Sequence, residues 1–265
     1  MVALEYIRLL GYGFLGALTV QLLAFVGAIR FKRADVVDVA WGLSFLGVIA
    51  SQLYASWPPS LITYLVDGLV GVWALRLSLH IAGRFRRSDV QDKRYTDIIA
   101  RWPKRYRNMQ LFFKIFVLQA GLASIVSLPI IIIHFYSPTI FNLLVFPWVC
   151  IGTIIWAVGF IWEWQADHEL KQFLARSKRP ALLTTGLWRL SRHPNYFGEI
   201  TMWWGIGIIS LGCGLFEWSF DGLSSLFALV GPLVITLLIR YVSGVPLAEK
   251  SLSQKDGWQQ YKAKT

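Results

Sequence analysis

The chain has 265 residues, of which 55% are hydrophobic, 15% aromatic and 15% charged, with a formal net charge of +11. A typical soluble domain carries about 25% charged and 45–50% apolar residues. This composition therefore excludes an ordinary soluble domain, and it excludes a disordered chain because so much apolar surface cannot stay solvated.

The length suits one membrane domain over 1–265. Crossing the hydrocarbon core takes about 20 apolar residues in a helix. Seven runs qualify: roughly 6–29, 36–55, 60–82, 110–134, 141–165, 196–215 and 222–245. The first, flanked by Glu5 and Arg8, is too long and too poor in cleavage-site features for a secretory signal peptide.

The basic residues fall between these runs in alternation. Arg30, Lys32 and Arg33 follow the first span, nine lysines and arginines lie between the third and fourth, six between the fifth and sixth, and Lys250, Lys255, Lys262 and Lys264 close the chain. Twenty-two of the 26 sit on alternate loops. The positive-inside rule then predicts an all-α integral membrane protein of seven transmembrane helices, with the N-terminus outside and the C-terminus cytoplasmic. A bacterial inner membrane is the expected location, and the charge serves topology, so nucleic acid is not an expected partner. Long inner loops, about 83–109 and 166–195, hold most of the polar chain, and chemistry is expected at the cytoplasmic face.

Charges within spans are costly and mark functional candidates. They are Asp38, Asp67, Arg76, Lys114, Glu163, Asp167, Glu199 and Arg240. The competing explanation is interhelical ion pairing, for example of Asp67 or Glu163 with an arginine. Arg76 and Arg84 lie near one helical face, and Arg76 can snorkel inward. Asp67 lies near the outer end of its span and reads as solvated there.

Trp57, Trp148 and Trp218 fit interfacial belts. Trp41, Trp73, Trp164, Trp203 and Trp204 lie nearer the inner side, where they either line a pocket for a flat apolar ligand or pack helices; Trp41 and Trp73 are the candidate substrate contacts. Cys150 and Cys213 sit in apolar runs as small core residues, without metal-ligand spacing, and no metal site is expected.

The most distinctive segment runs from Thr185 to Glu199 (TGLWRLSRHPNYFGE), followed by Trp203-Trp204-Gly205. Gly186 and Pro194 bracket a turn, and Pro194 opens a helix. A helix N-terminus favours phosphate, and Arg189 and Arg192 beside it add cationic donors. Glu199 shares a helical face with Asn195, an acid–amide pair suited to a ribose or a carboxamide. His193 reads equally as a phosphate partner or a cap.

The run from Arg192 to Glu199, followed by Trp203 and Gly205, resembles the C-terminal domain of the steroid 5-alpha-reductase family. It is most similar to the bacterial branch catalogued as a domain of unknown function. Val37–Gly42 (VDVAWG), Trp73–Leu77 (WALRL), Asp92–Tyr95 (DKRY) and Ser243–Lys250 (SGVPLAEK) extend the resemblance over most of the chain. The His-Pro-x-Tyr core alone is shared with membrane isoprenylcysteine and phospholipid methyltransferases, so an S-adenosylmethionine-dependent methyltransferase is the alternative.

The resemblance implies an oxidoreductase that uses NADPH to reduce the C=C bond conjugated to a ketone, as in a 3-oxo-4-ene steroid or a similar lipophilic enone. It implies no obligate protein partner beyond membrane lipids. The cofactor-binding part would be about 141–265; the resemblance matches Asp167, Asn195, Glu199, Trp203 and Arg240 to positions of the family's cofactor region, and Arg176, Arg192, His193 and Tyr196 join them as candidates toward the cofactor. Asp38, Tyr95 and Glu199 are the catalytic candidates. The mammalian enzymes carry a histidine and a tyrosine shortly after the arginine matched by Arg240, where this chain has Gly244 and Leu247 or Ala248, and the acid that polarises the ketone is the part least matched.

Overall fold

The computed structural model describes residues 2–136, 143–216 and 224–265, and among them the regular structure is helical throughout. The elements are α1 (Val2–Phe31), α2 (Val36–Ala55), α3 (Leu61–Arg87), the short α4 (Lys93–Ala100), α5 (Arg107–Leu111), α6 (Leu118–Val126), α7 (Leu128–Tyr136), α8 (Phe146–Ala175), α9 (Pro194–Leu215), α10 (Val230–Leu237), α11 (Val245–Leu252) and α12 (Trp258–Lys264). π-Helical turns join α5 to α6 (Phe112–Val117) and follow α10 (Leu238–Val242). Trp218, one of the expected belt residues, lies outside the described residues.

Six helical stretches are long and apolar enough to cross a membrane: Ala3–Phe31, Val36–Ala55, Leu61–Arg87, Lys104–Val126, Phe146–Ala175 and Ser225–Leu252. The seventh expected span, 196–215, is the helix α9, of 22 residues. Its glycines and tryptophans dilute its hydropathy, and it is buried by neighbours along much of its length. The expected span 110–134 is not one helix: it breaks at Ser127, because Pro129 has no N–H to continue the ladder.

Aliphatic side chains on α1 (Leu15, Leu22, Leu23, Val26) and α8 (Ile151, Ile154, Val158, Ile161) are exposed. Such contiguous apolar faces are unfavourable in water and are the ordinary outer surface of a protein in lipid.

Helices that gain little from burying apolar surface in lipid associate by close backbone packing at small residues. In the α8–α9 pair, a Cβ on Gly152 would sit 2.5 Å from the Gly205 carbonyl oxygen, and one on Gly159 would sit 2.7 Å from that of Gly198. The two antiparallel helices therefore touch at two glycine pairs, one heptad apart on each helix. Gly16 and Gly47 join α1 to α2 in the same way. This seam is what positions the functional site, since Gly198 lies against Glu163.

The core is aromatic at its centre. Trp73 and Trp203 meet edge to face at 5.2 Å, and Phe45 contacts both. At the other end of α3, Asp67 is buried at 8% exposure and accepts from His134 Nε2 at 3.2 Å, while His134 Nδ1 bonds Ser56 at 2.7 Å. This corrects the expectation that Asp67 is solvated. α7 lies over the ends of α2 and α3, and its histidine satisfies the acid.

Candidate functional site

The C-terminal halves of α3 and α8 and the first turns of α9 carry a cluster of charges. Arg76 of α3 donates through one terminal nitrogen to Glu163 and through the other to Asp167 at 2.5 Å. The two carboxylates are one turn apart on α8, so they present one face to a single guanidinium. Asn195, in the first turn of α9, donates to Asp167 at 3.3 Å. Glu199, one turn further along α9 and half-buried, lies within electrostatic reach of Glu163, Asp167 and Arg76. No described side chain donates to it.

Ion pairing of Glu163 with an arginine is therefore what the structure shows, and Arg76 does not snorkel to water. The balance of the cluster is unusual, with three carboxylates, one guanidinium, one amide and the His80 imidazole, whose Nδ1 lies 3.9 Å from Asp167. Asn195 Oδ1 and Glu163 Oε2 are buried with no partner among the described residues. Buried polar atoms are rarely left unpaired.

A second group sits on α2 and α4. Tyr95 donates to Asp38 at 2.5 Å, and Arg94 donates to Asp38 at 2.9 Å and to Asp92 at 3.0 Å. Asp92 caps α4 by accepting from the Arg94 N–H, which aims both Arg94 and Tyr95 back toward α2. Burial and then the Asp38 charge hold the Tyr95 phenol above its ordinary range, so it stays protonated. Burial opposes the charge on the Arg94 guanidinium, but its bonds to Asp92 and Asp38 outweigh that and make it more basic still. A cavity of about 150 Å³ opens beside this group, lined by Asp38, Arg84, Phe85 and Asp92 among others. Tyr196 of α9 lies within electrostatic reach of Arg84 and Arg94 and also of Asp167 and Glu199.

Of the expected residues, Asp38 and Tyr95 thus meet in one group and Asp167, Asn195 and Glu199 in the other, with Tyr196 within electrostatic reach of both. Others do not. Arg192 Nε donates to Glu249 of α11 at 2.8 Å, and His193 Nε2 lies 3.4 Å from the same oxygen and stacks on Tyr196. The tail folds back so that α11 delivers its carboxylate to the start of α9, where it takes up the Arg192 Nε and one face of His193. Tyr261 of α12 fixes that fold by donating to the Trp188 carbonyl at 2.5 Å.

Trp73 and Trp203 are 1% and 2% exposed and pack against each other in the core. Both lie mid-helix, where facing rings fill the space. Trp41 is half-buried against Phe45. Trp164 is exposed on the outer face of α8, stacked on His168. Arg176 and Arg240 are exposed, at the end of α8 and in the second π turn, and neither joins the acid cluster; Arg240 is within electrostatic reach of His193.

The sequence marks Arg76 and Glu163 only as charged span residues, without a role in the site, and does not single out Arg94. The signal for the first two was present in the Glu163–Asp167 spacing on one helix face opposite a lone mid-span arginine. For Arg94, the Asp92 cap two residues earlier was the available sign.

Among known families, the one described as "Protein of unknown function (DUF1295)" matches residues 24–265. No curated protein and no solved structure matches the chain. The match extends from the second half of α1 through every element of the site to the last residue, and the chain belongs to the DUF1295 family.

Proposed function

We propose that the chain is a seven-span membrane reductase, with its N-terminus outside and its active site open to the cytoplasm, that uses NADPH to reduce the C=C bond of a lipophilic enone of the 3-oxo-4-ene steroid type. The resemblance of Arg192–Glu199 to the steroid 5-alpha-reductase family suggests the reaction. The observation that carries the site is the acid-rich cluster around Arg76, with acceptor atoms on Asn195 and Glu163 still unpaired.

The residues fit the polar end of a nicotinamide nucleotide by their donor and acceptor types. A carboxamide N–H₂ and ribose hydroxyls are donors, and Asn195 Oδ1, Glu163 Oε2 and Glu199 are acceptors in want of them. For the phosphates, Arg84, Arg176 and Arg240 remain, since no described carboxylate pairs with them, whereas Arg192 and His193 are held by Glu249. The bound cofactor would supply the hydride.

The chain's own part is orientation and electrostatics. Reduction of an enone builds negative charge on the ketone oxygen, which a preorganised donor stabilises. Tyr95 keeps its proton and is held by Asp38, so it serves as a fixed hydrogen-bond donor and not as an acid that gives its proton away. Half-buried Trp41 remains to contact an apolar substrate entering from lipid. Arg76 holds Glu163 and Asp167 in place and keeps the cluster from expelling one of its acids.

Protein purified in detergent should oxidise NADPH when given progesterone or testosterone, and Asn195→Ala should weaken NADPH binding at least tenfold. No NADPH binding and no turnover of any enone would overturn the reading. The excess of carboxylate over guanidinium also favours a cationic ligand, which is the specific support for an S-adenosylmethionine-dependent methyltransferase. A ligand that binds only the native state raises stability, so thermal shifts with each nucleotide separate the two.

A further inference from the structure

A second cavity, of about 390 Å³, lies between the inner end of α1, the loop before α4, and α5. It shares Arg33 with the smaller cavity but none of the acid cluster, and what it binds does not depend on the reductase reading. Its lining includes Ala28, Ile29 and Leu111 on the apolar side and Lys32, Arg107 and Asn108 on the polar side.

The lining holds three cations, Lys32, Arg33 and Arg107, and no carboxylate. Arg33 is already engaged by Asp35 at 2.7 Å and by the carbonyl of Phe85 at 3.1 Å. Lys32 and Arg107 have no carboxylate within 4.0 Å among the described residues. Arg107 Nε is buried without an acceptor. Lys32 has φ 54, the left-handed conformation that glycine adopts most readily at a helix end, yet a lysine stands there. A pair of unneutralised cations with a buried donor left open is a site for an anion with several acceptor oxygens.

The surroundings say where that anion comes from. α1 packs on the π turn through Phe25 and Phe112 at 5.1 Å, and beside this contact Val26, Ile29 and Phe113 are exposed. The cavity therefore opens beside apolar surface suited to acyl chains, at the helix ends where headgroups lie. A soluble phosphate would have no use for that surface.

We propose that this cavity binds the phosphate headgroup of an anionic phospholipid, with Lys32 and Arg107 as its cationic clamp, Asn108 as an added hydrogen-bond partner and the acyl chains along Val26, Ile29 and Phe113. Juxtamembrane lysines and arginines attract anionic lipid in general, so the test must separate a shaped site from surface charge.

Purified protein in neutral detergent is titrated with dioleoyl phosphatidylglycerol, dioleoyl phosphatidylcholine and sn-glycerol 3-phosphate, with thermal unfolding and native mass spectrometry as readouts. The expected result is phosphatidylglycerol binding at least tenfold tighter than phosphatidylcholine, with glycerol 3-phosphate weaker than either. The Lys32→Gln/Arg107→Gln pair should lose at least tenfold in phosphatidylglycerol affinity. A Lys93→Gln/Arg101→Gln pair, on the same basic loop but outside the lining, should keep it. Equal binding of the two lipids, unchanged affinity in the first pair, or an equal loss in the second would overturn the proposal. So would glycerol 3-phosphate binding as tightly as the lipid, which would give the clamp to a soluble phosphate. Photoactivatable phosphatidylglycerol tests the wild-type protein without any variant: attachment within 26–32 or 107–113 supports the site, and attachment elsewhere overturns it.

Discussion

Replacing Arg76 by methionine keeps an unbranched stem and removes the guanidinium and its charge. The guanidinium is 15% exposed, and its partners Glu163 and Asp167 are 4% and 14% exposed. At contact distance and an effective dielectric near 20, each pair is worth about 4 kcal/mol before desolvation. The variant leaves both carboxylates without their cation, and Glu199 lies close enough to repel them further. Breaking a buried pair from one side costs about 3–5 kcal/mol, because the remaining charge keeps its desolvation penalty. At about 2–4 °C per kcal/mol, the unfolding midpoint in detergent should fall by about 6–20 °C. Adding Glu163→Gln to Arg76→Met should recover part of the loss, since it removes one stranded charge, although Glu163→Gln alone is destabilising. That opposite sign is the signature of coupling in a double-mutant cycle. An Arg76→Met cost below about 0.5 kcal/mol, the range of a solvent-screened surface pair, would refute the reasoning. So would strictly additive behaviour of the two substitutions.

The glycine seam gives a contrast within one residue type. Gly198→Ala should cost about 1–3 kcal/mol by overpacking, because its new Cβ would lie 2.6 Å from the Gly159 carbonyl oxygen. Gly121→Ala, with nothing within 4 Å, should stabilise by about 0.4–1 kcal/mol in the same unfolding assay. His193 supplies the pH dependence: burial lowers its pKa, with Arg192 and Arg240 adding to the shift and the Glu249 carboxylate opposing it. A histidine whose folded pKa lies below its unfolded value contributes stability above about pH 6.5 and loses it as pH falls through the folded pKa. Unfolding midpoints should therefore drop from pH 7 to pH 5, and His193→Gln should flatten that slope. His134→Ala strands the buried Asp67 carboxylate and should cost about 3–5 kcal/mol, and pairing it with Asp67→Asn should restore most of this.

The helices were legible in the sequence because hydrocarbon thickness sets a length, and hydropathy reports it residue by residue. The break at Ser127 was legible as well, since Pro129 stands in the middle of an apolar run, although hydropathy reads straight through it. Which face of each helix meets a partner was less visible. Trp73 and Trp203 look like pocket residues by type and position, and only the packing of α2, α3 and α9 shows that they fill one another's space. Arg192 and His193 look like phosphate ligands because they precede a helix N-terminus, a local feature. Glu249 reaches them through the return of the tail, and no spacing between positions 56 and 57 residues apart encodes that. Asp67 follows the same logic, with its histidine 67 residues away.

What links the fold to the site is the register of α8 on α9. Gly152 meets Gly205 and Gly159 meets Gly198, so the next turns toward the loop must bring Glu163 and Asp167 level with Asn195 and Glu199. The short residues permit an approach too close for any side chain, and the acids sit where that approach ends. A seam of glycines alone would only join two helices, and acids alone would be driven to water or neutralised. Together they hold three carboxylates against one arginine and the His80 ring, with acceptors still open on Asn195 and Glu163. Such a cluster is costly to keep unless something rich in donors completes it, and that deficit is the physical reason to look for a ligand at this point of the molecule.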